Sequence, residues 1–258
     1  MLYLLAESAS LGGNGGGKTM TGCIILFVLG IITLILYVKE KVKACSVRAV
    51  FLKSVVSSFF IAVAICGWYT SSLVSGQQIL APFVILGLVC GLLGDIWLDL
   101  KYVFPEKDGL FTHAGFAVFG IGHLFYMTGM ILQYGGRVTP GALFVPYLMG
   151  ALLSEMNIVL EKTMKLDFGK LRPIVRTYGT LLFSMALMAG SLALRLGWQE
   201  PSLNLLFIGG VLFALSDLIL SGTYFGIGRD RPIDIILNYA FYYSGQFAIA
   251  FSLLFLME

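Results

Sequence analysis

The sequence predicts an all-α integral membrane protein, a bundle of eight transmembrane helices, and three observations support this. Of the 258 residues, 58% are hydrophobic and only 12% are charged, whereas about 25% of the residues of an ordinary soluble domain are charged. Stretches of about 20 mostly apolar residues, the length that crosses a bilayer, recur eight times along the chain. The stretches are joined by short connections, so residues 20–258 are expected to form one transmembrane domain. The predicted spans are Met20–Val38, Phe51–Leu73, Ile79–Leu100, Phe111–Gln133, Pro140–Leu160, Ile174–Leu196, Ser202–Tyr224 and Leu237–Met257.

The basic residues predict how this bundle is oriented. Fourteen of the 17 lysines and arginines follow the first, third, fifth or seventh span, and short loops that are rich in Lys and Arg stay in the cytoplasm. Both termini are therefore predicted to be non-cytoplasmic, in either a bacterial inner membrane or an endomembrane. The net charge of +3 reflects this topology and the contact with anionic membrane lipids. Nucleic acid is not an expected partner.

Residues 1–19 are predicted to form a flexible, Gly-rich N-terminal tail. The segment Gly12–Thr19 reads GGNGGGKT and matches a phosphate-binding loop literally. Such a loop needs a preceding strand in a soluble βαβ unit and an acidic partner for magnesium, and here a membrane helix follows directly. Five glycines among eight residues match the pattern easily by chance, so we expect no nucleotide at this segment.

The four cysteines, Cys23, Cys45, Cys66 and Cys90, lie in or beside different spans and lack CxxC spacing. They indicate neither a disulfide framework nor a zinc site. The first two spans are predicted to be scaffold, since the first has no charged residue and the second has serines that bond to backbone carbonyls.

The third span contains GLLGDIWLDL, in which Asp95 and Asp99 are one helical turn apart. A charged side chain at the centre of a spanning helix costs about 2.5–3.5 kcal/mol on insertion scales and marks a functional site. From a rise of about 1.5 Å per residue, Asp95 is expected inside the bundle and Asp99 at the interface near Lys101.

The other spans add polar residues at comparable depth. In the fourth span, His123 lies near the middle, with Tyr126 on the same face. The only other histidine is His113, and two histidines cannot form a three-histidine zinc site, so neither a metal nor another cofactor is expected. In the fifth span, Glu155 is predicted either to reach the interface near Lys162 or to line a cavity.

The seventh span places Asp217 at the depth of Asp95, because both helices run in the same direction. A weak repeat links the two: LLGDIWL resembles ALSDLIL, and Asp95 precedes His123 by 28 residues where Asp217 precedes Gln246 by 29. The repeat predicts two parallel four-helix halves, and chance is the alternative explanation.

The carboxyl groups of Asp95 and Asp217, with the polar residues near them, predict acid–base chemistry in the cytoplasmic half of the membrane. Two close carboxylates in a low-dielectric cavity do not both ionise easily, so one is held protonated beside a carboxylate base. Such a pair is suited to hydrolysis through an oxocarbenium-like state. Hydrolysis of the vinyl ether of a plasmalogen-type lipid needs only such an acid and base, and this lipid lies in the bilayer.

The same residues resemble the YhhN/TMEM86 family of lysoplasmalogenases. The resemblance covers the third to eighth spans and rests on GDIWL at Gly94–Leu98, GFAVFGIGHLFY at Gly115–Tyr126, Pro146-Tyr147, Val175/Tyr178/Met185, LFALSDLIL at Leu212–Leu220 and YYSGQ at Tyr242–Gln246. Where the family tends to have Lys-Pro, this chain has Lys53-Ser54. The resemblance implies hydrolysis of the alkenyl ether bond of a lysophospholipid, 1-alkenyl-glycerophosphocholine or -ethanolamine, to a fatty aldehyde without a metal.

On this interpretation Asp95 and Asp217 are the catalytic pair, and further residues support them. His123, Tyr126 and Gln246 are expected to orient water and hydroxyls. Further residues are expected to line the cavity or to support the site: Tyr147, Tyr178, Glu155, Asp99 and Tyr243. The phosphate is assigned to one of three basic residues: Lys53, Arg176 or Arg229.

Two other function classes stay open. A proton-coupled transporter, or a lipid-binding protein without hydrolytic activity, also needs a buried acidic pair, although only the fifth span is broken by an internal proline, Pro146. An intramembrane aspartyl protease is disfavoured because its Tyr-Asp and Pro-Ala-Leu companions are missing. A retinal protein is excluded because the seventh span has no lysine.

Overall fold

The computed structural model describes residues 13–43, 46–73, 78–226 and 231–256, which form an all-helical protein. Eight helices longer than 18 residues are found within these ranges. Their bounds are α1 Gly13–Lys43, α2 Val47–Ser72, α3 Leu80–Val103, α4 Asp108–Tyr134, α5 Pro140–Val159, α6 Arg172–Arg195, α7 Pro201–Phe225 and α8 Pro232–Phe251. Cys45, Arg229 and residues 1–12 lie outside the described residues.

Seven of these helices, α1 to α7, are long and apolar enough to cross a membrane. In α8, polar side chains interrupt the apolar sequence at Asn238, Tyr239, Tyr242, Tyr243 and Gln246, and all five are buried inside the bundle. The helix is therefore apolar toward the outside and polar toward its neighbours. The two predicted parallel halves stay a prediction.

The helices begin where the sequence supplies starting signals. Ser46 caps α2 by accepting a hydrogen bond from the Ala49 backbone nitrogen at 3.4 Å, as N-cap serines do. Proline lies in the first turn of α5, α6, α7 and α8, where its missing N–H costs no helical hydrogen bond. One expectation is corrected: α1 begins at Gly13, so residues 13–19 of the predicted tail are helical.

The bundle has polar groups inside and apolar groups outside, as expected for a protein surrounded by lipid. Charged and amide side chains such as Lys53, Asp99 and Gln246 are almost completely buried, whereas Leu148 and Leu132 are more than half exposed. The described cysteines, Cys23, Cys66 and Cys90, are free thiols.

Glycines let α3 and α4 approach closely enough to place Asp95 beside the α4 aromatics. A Cβ atom at Gly87 would overlap the Tyr126 ring, and one at Gly122 would lie 3.0 Å from the Gly87 carbonyl oxygen. Small residues at such crossings are a common device for packing membrane helices. The close approach fixes the position of α3 relative to α4.

The C-terminal ends of α1, α3 and α7 meet at one end of the bundle, where the Lys41 amine covers the Tyr102 ring and Tyr102 packs against Tyr224. We call this end the basic end. At this end the Asp167 backbone nitrogen donates to the Phe225 carbonyl oxygen at 2.9 Å, which ties the α5–α6 connection to α7. Glu161 accepts hydrogen bonds from the Phe168 backbone nitrogen at 2.7 Å and from the Arg172 guanidinium at 3.1 and 3.2 Å. Desolvation opposes the charged form of Glu161, but these donors outweigh it and lower the pKa of the carboxyl.

Candidate active site

Three carboxyl groups, Asp95 and Asp99 on α3 and Asp217 on α7, lie in the half of the bundle nearest the basic end, and each has a different environment. Asp99 is fully buried. It accepts hydrogen bonds from the Tyr37 hydroxyl at 2.9 Å, the Lys41 amine at 2.8 Å and the Lys53 amine at 3.4 Å. We call these four residues the lysine cluster. The cations that pair with Asp99 are Lys41 and Lys53 and not Lys101, because α1 and α2 cover this face of α3. Its predicted position at the membrane interface stays a prediction.

Asp95, one turn further into the membrane, shares the Lys53 amine at 3.2 Å. It also accepts hydrogen bonds from the Ser57 hydroxyl at 2.6 Å and the Tyr242 hydroxyl at 2.8 Å. Gln246 in turn donates to the Tyr242 hydroxyl oxygen at 3.0 Å. Since ion pairing and donated hydrogen bonds favour the charged form of a carboxyl group, this environment suits a carboxylate.

Asp217 differs from both because it has no salt bridge to a lysine or arginine within the described ranges. The Tyr178 hydroxyl donates a hydrogen bond to one carboxyl oxygen, and the Ser216 hydroxyl lies 3.3 Å from the other. Asp217 is also only partly buried, in contrast to the two α3 carboxyls. A carboxyl group inside a membrane without a cation tends to be neutral.

Asp95 and Asp217 line the same cavity, which we call the polar cavity. The space free of atoms within it, including its opening, is about 380 Å³, and Lys53, Tyr178 and Tyr242 also line it. Asn238 lies on its wall and donates to the Ser216 carbonyl oxygen at 2.7 Å, which holds α8 against α7 at the turn that carries Asp217. Both predicted catalytic carboxyls thus face one space.

A second cavity, which we call the lateral cavity, lies between α6 and α7, and the space free of atoms within it, including its open side, is about 450 Å³. Asp217 and Tyr178 belong to the linings of both cavities. The remaining lining is mostly apolar, with Val175, Leu182 and Ala214 among the buried residues. Asp217 therefore lies where an apolar space meets a polar one.

His123 is buried on α4, and neither ring nitrogen has a hydrogen-bond partner among the described residues. Its ring centre lies 5.1 Å from that of Phe213 and 5.7 Å from that of Tyr178. The Tyr126 hydroxyl, close to it in the bundle, also lacks a partner within the described residues. Unpaired buried polar groups cost free energy, yet neither residue lines the two cavities.

The structure brings together some of the residues that the sequence predicted for the site and separates others. Tyr178 and Lys53 line the polar cavity with the two aspartates, Gln246 reaches Asp95 through Tyr242, and the Tyr243 hydroxyl lies 3.4 Å from that of Ser57. Tyr147 packs against the hydrophobic core and lines neither cavity.

Glu155 and Arg176 also lie apart from the site. They form an ion pair at 2.5 Å, with both side chains about half exposed. Glu155 therefore does not line the two cavities, and its basic partner is Arg176 and not Lys162. Lys53 is likewise buried and paired with aspartates, so it is not at the surface as a phosphate contact would require.

Sequence reasoning missed residues that complete the site. Lys41 lies just beyond the predicted end of the first span, and Tyr37 precedes it by one turn on the same face. Lys101 is also unexpectedly well covered, with its side chain 11% exposed and its amine 3.3 Å from the centre of the Tyr224 ring. Tyr224 lines both cavities.

Within the described residues, no group of three or more His, Cys, Asp or Glu is arranged to hold a metal ion. A family model described as the YhhN family matches residues 47–253, which comprise most of the chain and include both cavities. No curated protein and no solved structure matches the chain.

Proposed function

Because the chain belongs to the YhhN family, we propose that it is a lysoplasmalogenase that hydrolyses the alkenyl ether bond of 1-alkenyl-glycerophosphocholine or -ethanolamine. One observation carries the proposal. Two carboxyl groups line one cavity, and only one of them is paired with a cation. Such an arrangement supplies an acid and a base at the same place.

In this mechanism Asp217 is the acid. Its neutral carboxyl group donates a proton to the β-carbon of the vinyl ether, and the resulting cation is shared between the α-carbon and the ether oxygen. The Tyr178 hydroxyl, which donates a hydrogen bond to Asp217, stabilises the carboxylate that the proton leaves behind.

Asp95 is the base. It accepts a proton from a water molecule as the water oxygen attacks the α-carbon, which gives a hemiacetal. The hemiacetal then breaks its bond to the glycerol oxygen, which takes up a proton, and a fatty aldehyde and the glycerophospho-base are released. Lys53, Ser57 and Tyr242 hold Asp95 as a carboxylate before the attack.

The phosphate group is assigned to Lys101. Its amine covers the Tyr224 ring, which lines both cavities, and its salt bridge to the exposed Asp108 is long, at 3.7 Å. Lysine is a common phosphate ligand in proteins. Arg176 is less suitable because Glu155 already neutralises it at a shorter distance.

The proposal includes the membrane topology. The basic end faces the cytoplasm and both termini face the opposite side. The helix α8, whose polar face is covered by neighbouring helices, is the eighth span.

The test is to incubate the purified full-length protein in detergent with alkenyl, alkyl and acyl lysophospholipids of equal chain length and to measure aldehyde. Aldehyde is expected from the alkenyl compound only, and a metal chelator is expected to leave the rate unchanged. In D2O, the aldehyde is expected to carry one deuterium at the carbon next to the carbonyl. The absence of aldehyde from the alkenyl lipid would refute the proposal.

A proton-coupled transporter is the second candidate, because Lys41, Asp99, Lys53 and Asp95 form a continuous chain of charged groups from the basic end to the polar cavity. Chains of this kind carry protons in membrane pumps. Proton-dependent uptake of a lysolipid by proteoliposomes, with no aldehyde produced, would favour this function over hydrolysis.

A further inference from the structure

We propose that the lateral cavity is the binding site for the hydrocarbon chain of the substrate, which enters sideways from the bilayer between α6 and α7. This inference rests on the proposed function and adds the route and the chain-binding residues to it. The occupant is a single alkyl or alkenyl chain of a lysophospholipid.

The packing of α6 against α7 supports this assignment. In the half of the bundle away from the basic end the two helices approach closely, since a Cβ atom at Gly210 would lie only 2.9 Å from that of Ala186. Nearer the basic end, the same helices leave the lateral cavity between them. The opening is therefore confined to the depth of Asp217.

The rim of the lateral cavity faces lipid. Leu218 on α7 is 39% exposed, and Ser221 on α7 and Phe183 on α6 are partly exposed. Outward-facing residues nearby, such as Met156 and Leu215, are apolar and exposed. A lipid chain can thus pass from the bilayer into the cavity without crossing a polar surface.

The inner end of the lateral cavity reaches Asp217, the proposed acid. Phe116, Tyr178, Asp217, Leu220 and Tyr224 line both cavities. A chain that fills the apolar space places its first carbons, which form the vinyl ether, beside Asp217. The more polar glycerol end then lies toward the polar cavity and Lys101. The lateral cavity therefore binds the hydrocarbon end of the substrate, and the polar cavity binds the glycerol end.

Ser221 is the position at which to block this route. It lines the lateral cavity, and a phenyl ring in its place would occupy the space that the chain needs. Thr223 is the matched control, since it lies two residues along α7 and lines a different groove, beside Arg231 and Phe241 on the α7–α8 face.

The first measurement detects binding without turnover. A 1-O-alkyl-glycerophosphoethanolamine with a diazirine at the chain end lacks the double bond and stays intact. After irradiation, adducts are expected on residues 178–183 of α6, none of which lines the α7–α8 groove. Ser221→Phe is expected to reduce them about tenfold while Thr223→Phe leaves them unchanged. Undiminished labelling in Ser221→Phe, or labelling confined to the α7–α8 groove, would overturn the assignment.

The second measurement compares hexadecenyl and butenyl substrates. Ser221→Phe is expected to raise KM for the long chain about tenfold and to change turnover of the short chain less than about twofold, because only the long chain needs the cavity. Equal losses with both substrates, or the same loss in Thr223→Phe, would contradict the inference. A wild-type protein that releases no aldehyde refutes the proposed function alone, because the labelling experiment still tests the cavity.

Discussion

Asp99 and Asp217 are accommodated inside the bundle in opposite ways. Both are carboxyl groups inside a membrane-spanning bundle, where an isolated charge is costly. Asp99 is buried among Tyr37, Lys41 and Lys53, whereas Asp217 has a tyrosine and a serine beside it and faces two cavities. The first arrangement neutralises a charge with other charges, and the second leaves a group that is free to hold a proton.

This difference gives Asp99 a structural role and suits Asp217 to a chemical one. A carboxylate fixed by two ammonium groups holds helices together, but it has little tendency to donate a proton. A neutral carboxyl group beside a cavity contributes less to holding the fold and is available to a substrate. Asp95 lies between these extremes, because it is paired with Lys53 and also lines the polar cavity.

The largest expected effect is on turnover by Asp217→Asn. Loss of a general acid lowers kcat by about 10²–10⁴-fold, while the amide keeps the size of the side chain and accepts the Tyr178 hydrogen bond. Aldehyde release is measured together with the midpoint of thermal unfolding in detergent, which is expected to stay close to wild type. Asp95→Asn is expected to lose turnover similarly, and normal rates in either variant would remove that residue from the mechanism.

Asp99→Asn is expected to act mainly on stability. Breaking a buried ion pair from one side costs about 3–5 kcal/mol, since Lys41 loses the carboxylate that neutralises it and Lys53 keeps only Asp95. The unfolding midpoint is expected to fall clearly, and Glu155→Gln, at a half-exposed pair with Arg176 worth about 0–1 kcal/mol, is the control. A stable Asp99→Asn protein without activity would reverse the roles assigned to the two carboxyls.

Tyr178→Phe tests whether Asp217 needs its hydrogen-bond donor. A hydrogen bond to a charged group contributes about 1.5–3 kcal/mol, so kcat is expected to fall about 10- to 100-fold with KM nearly unchanged. Tyr69→Phe, on an exposed face of α2, is the control. An increase in KM alone would show that Tyr178 binds the substrate and does not support the acid.

Lys101→Gln is expected to have a smaller effect, confined to KM. Removing one charge from a partly screened phosphate contact weakens binding by about tenfold or less, and kcat is expected to stay the same. Rescue by Lys101→Arg would support a charge contact. An unchanged KM in Lys101→Gln would assign the phosphate elsewhere.

The smallest effect concerns Glu161, a paired carboxyl outside the spanning helices. Because its pKa is lowered in the folded protein, the stabilisation that it gives is fully present above the usual value of 4.5 and is lost as the pH falls through the folded pKa. Glu161→Gln is expected to flatten the acid limb of stability plotted against pH. An unaltered acid limb in this variant would mean that the Phe168 and Arg172 contacts do not stabilise the fold.

Much of this arrangement follows from the sequence because it depends on local properties. Hydrophobic stretches of fixed length predicted the spanning helices α1 to α7, and a carboxylate inside such a stretch is enough to single out Asp95 and Asp217. Their common depth follows from counting residues along helices that run in the same direction.

The remaining features depend on how helices rotate and pack. Ser54 and Ser58 donate to backbone carbonyls one turn back, at 2.9 and 2.8 Å, while Ser57 points inward to Asp95. All three look alike in the sequence. The same holds for Lys41, whose pairing with Asp99 needs the position of α1 against α3, and for the lateral cavity, which exists only through the spacing of α6 and α7.

The lysine cluster also has a consequence for biosynthesis. The family match begins at Val47, so α1, with Tyr37 and Lys41, lies outside the matched segment and yet supplies two of the groups around Asp99. During translation, α1 and α2 leave the ribosome before α3. Lys41 and Lys53 are therefore synthesised before Asp99, the carboxylate with which both are paired. A nascent chain arrested before α3 carries two uncompensated lysines, which makes insertion of the third helix the step that completes the charge balance.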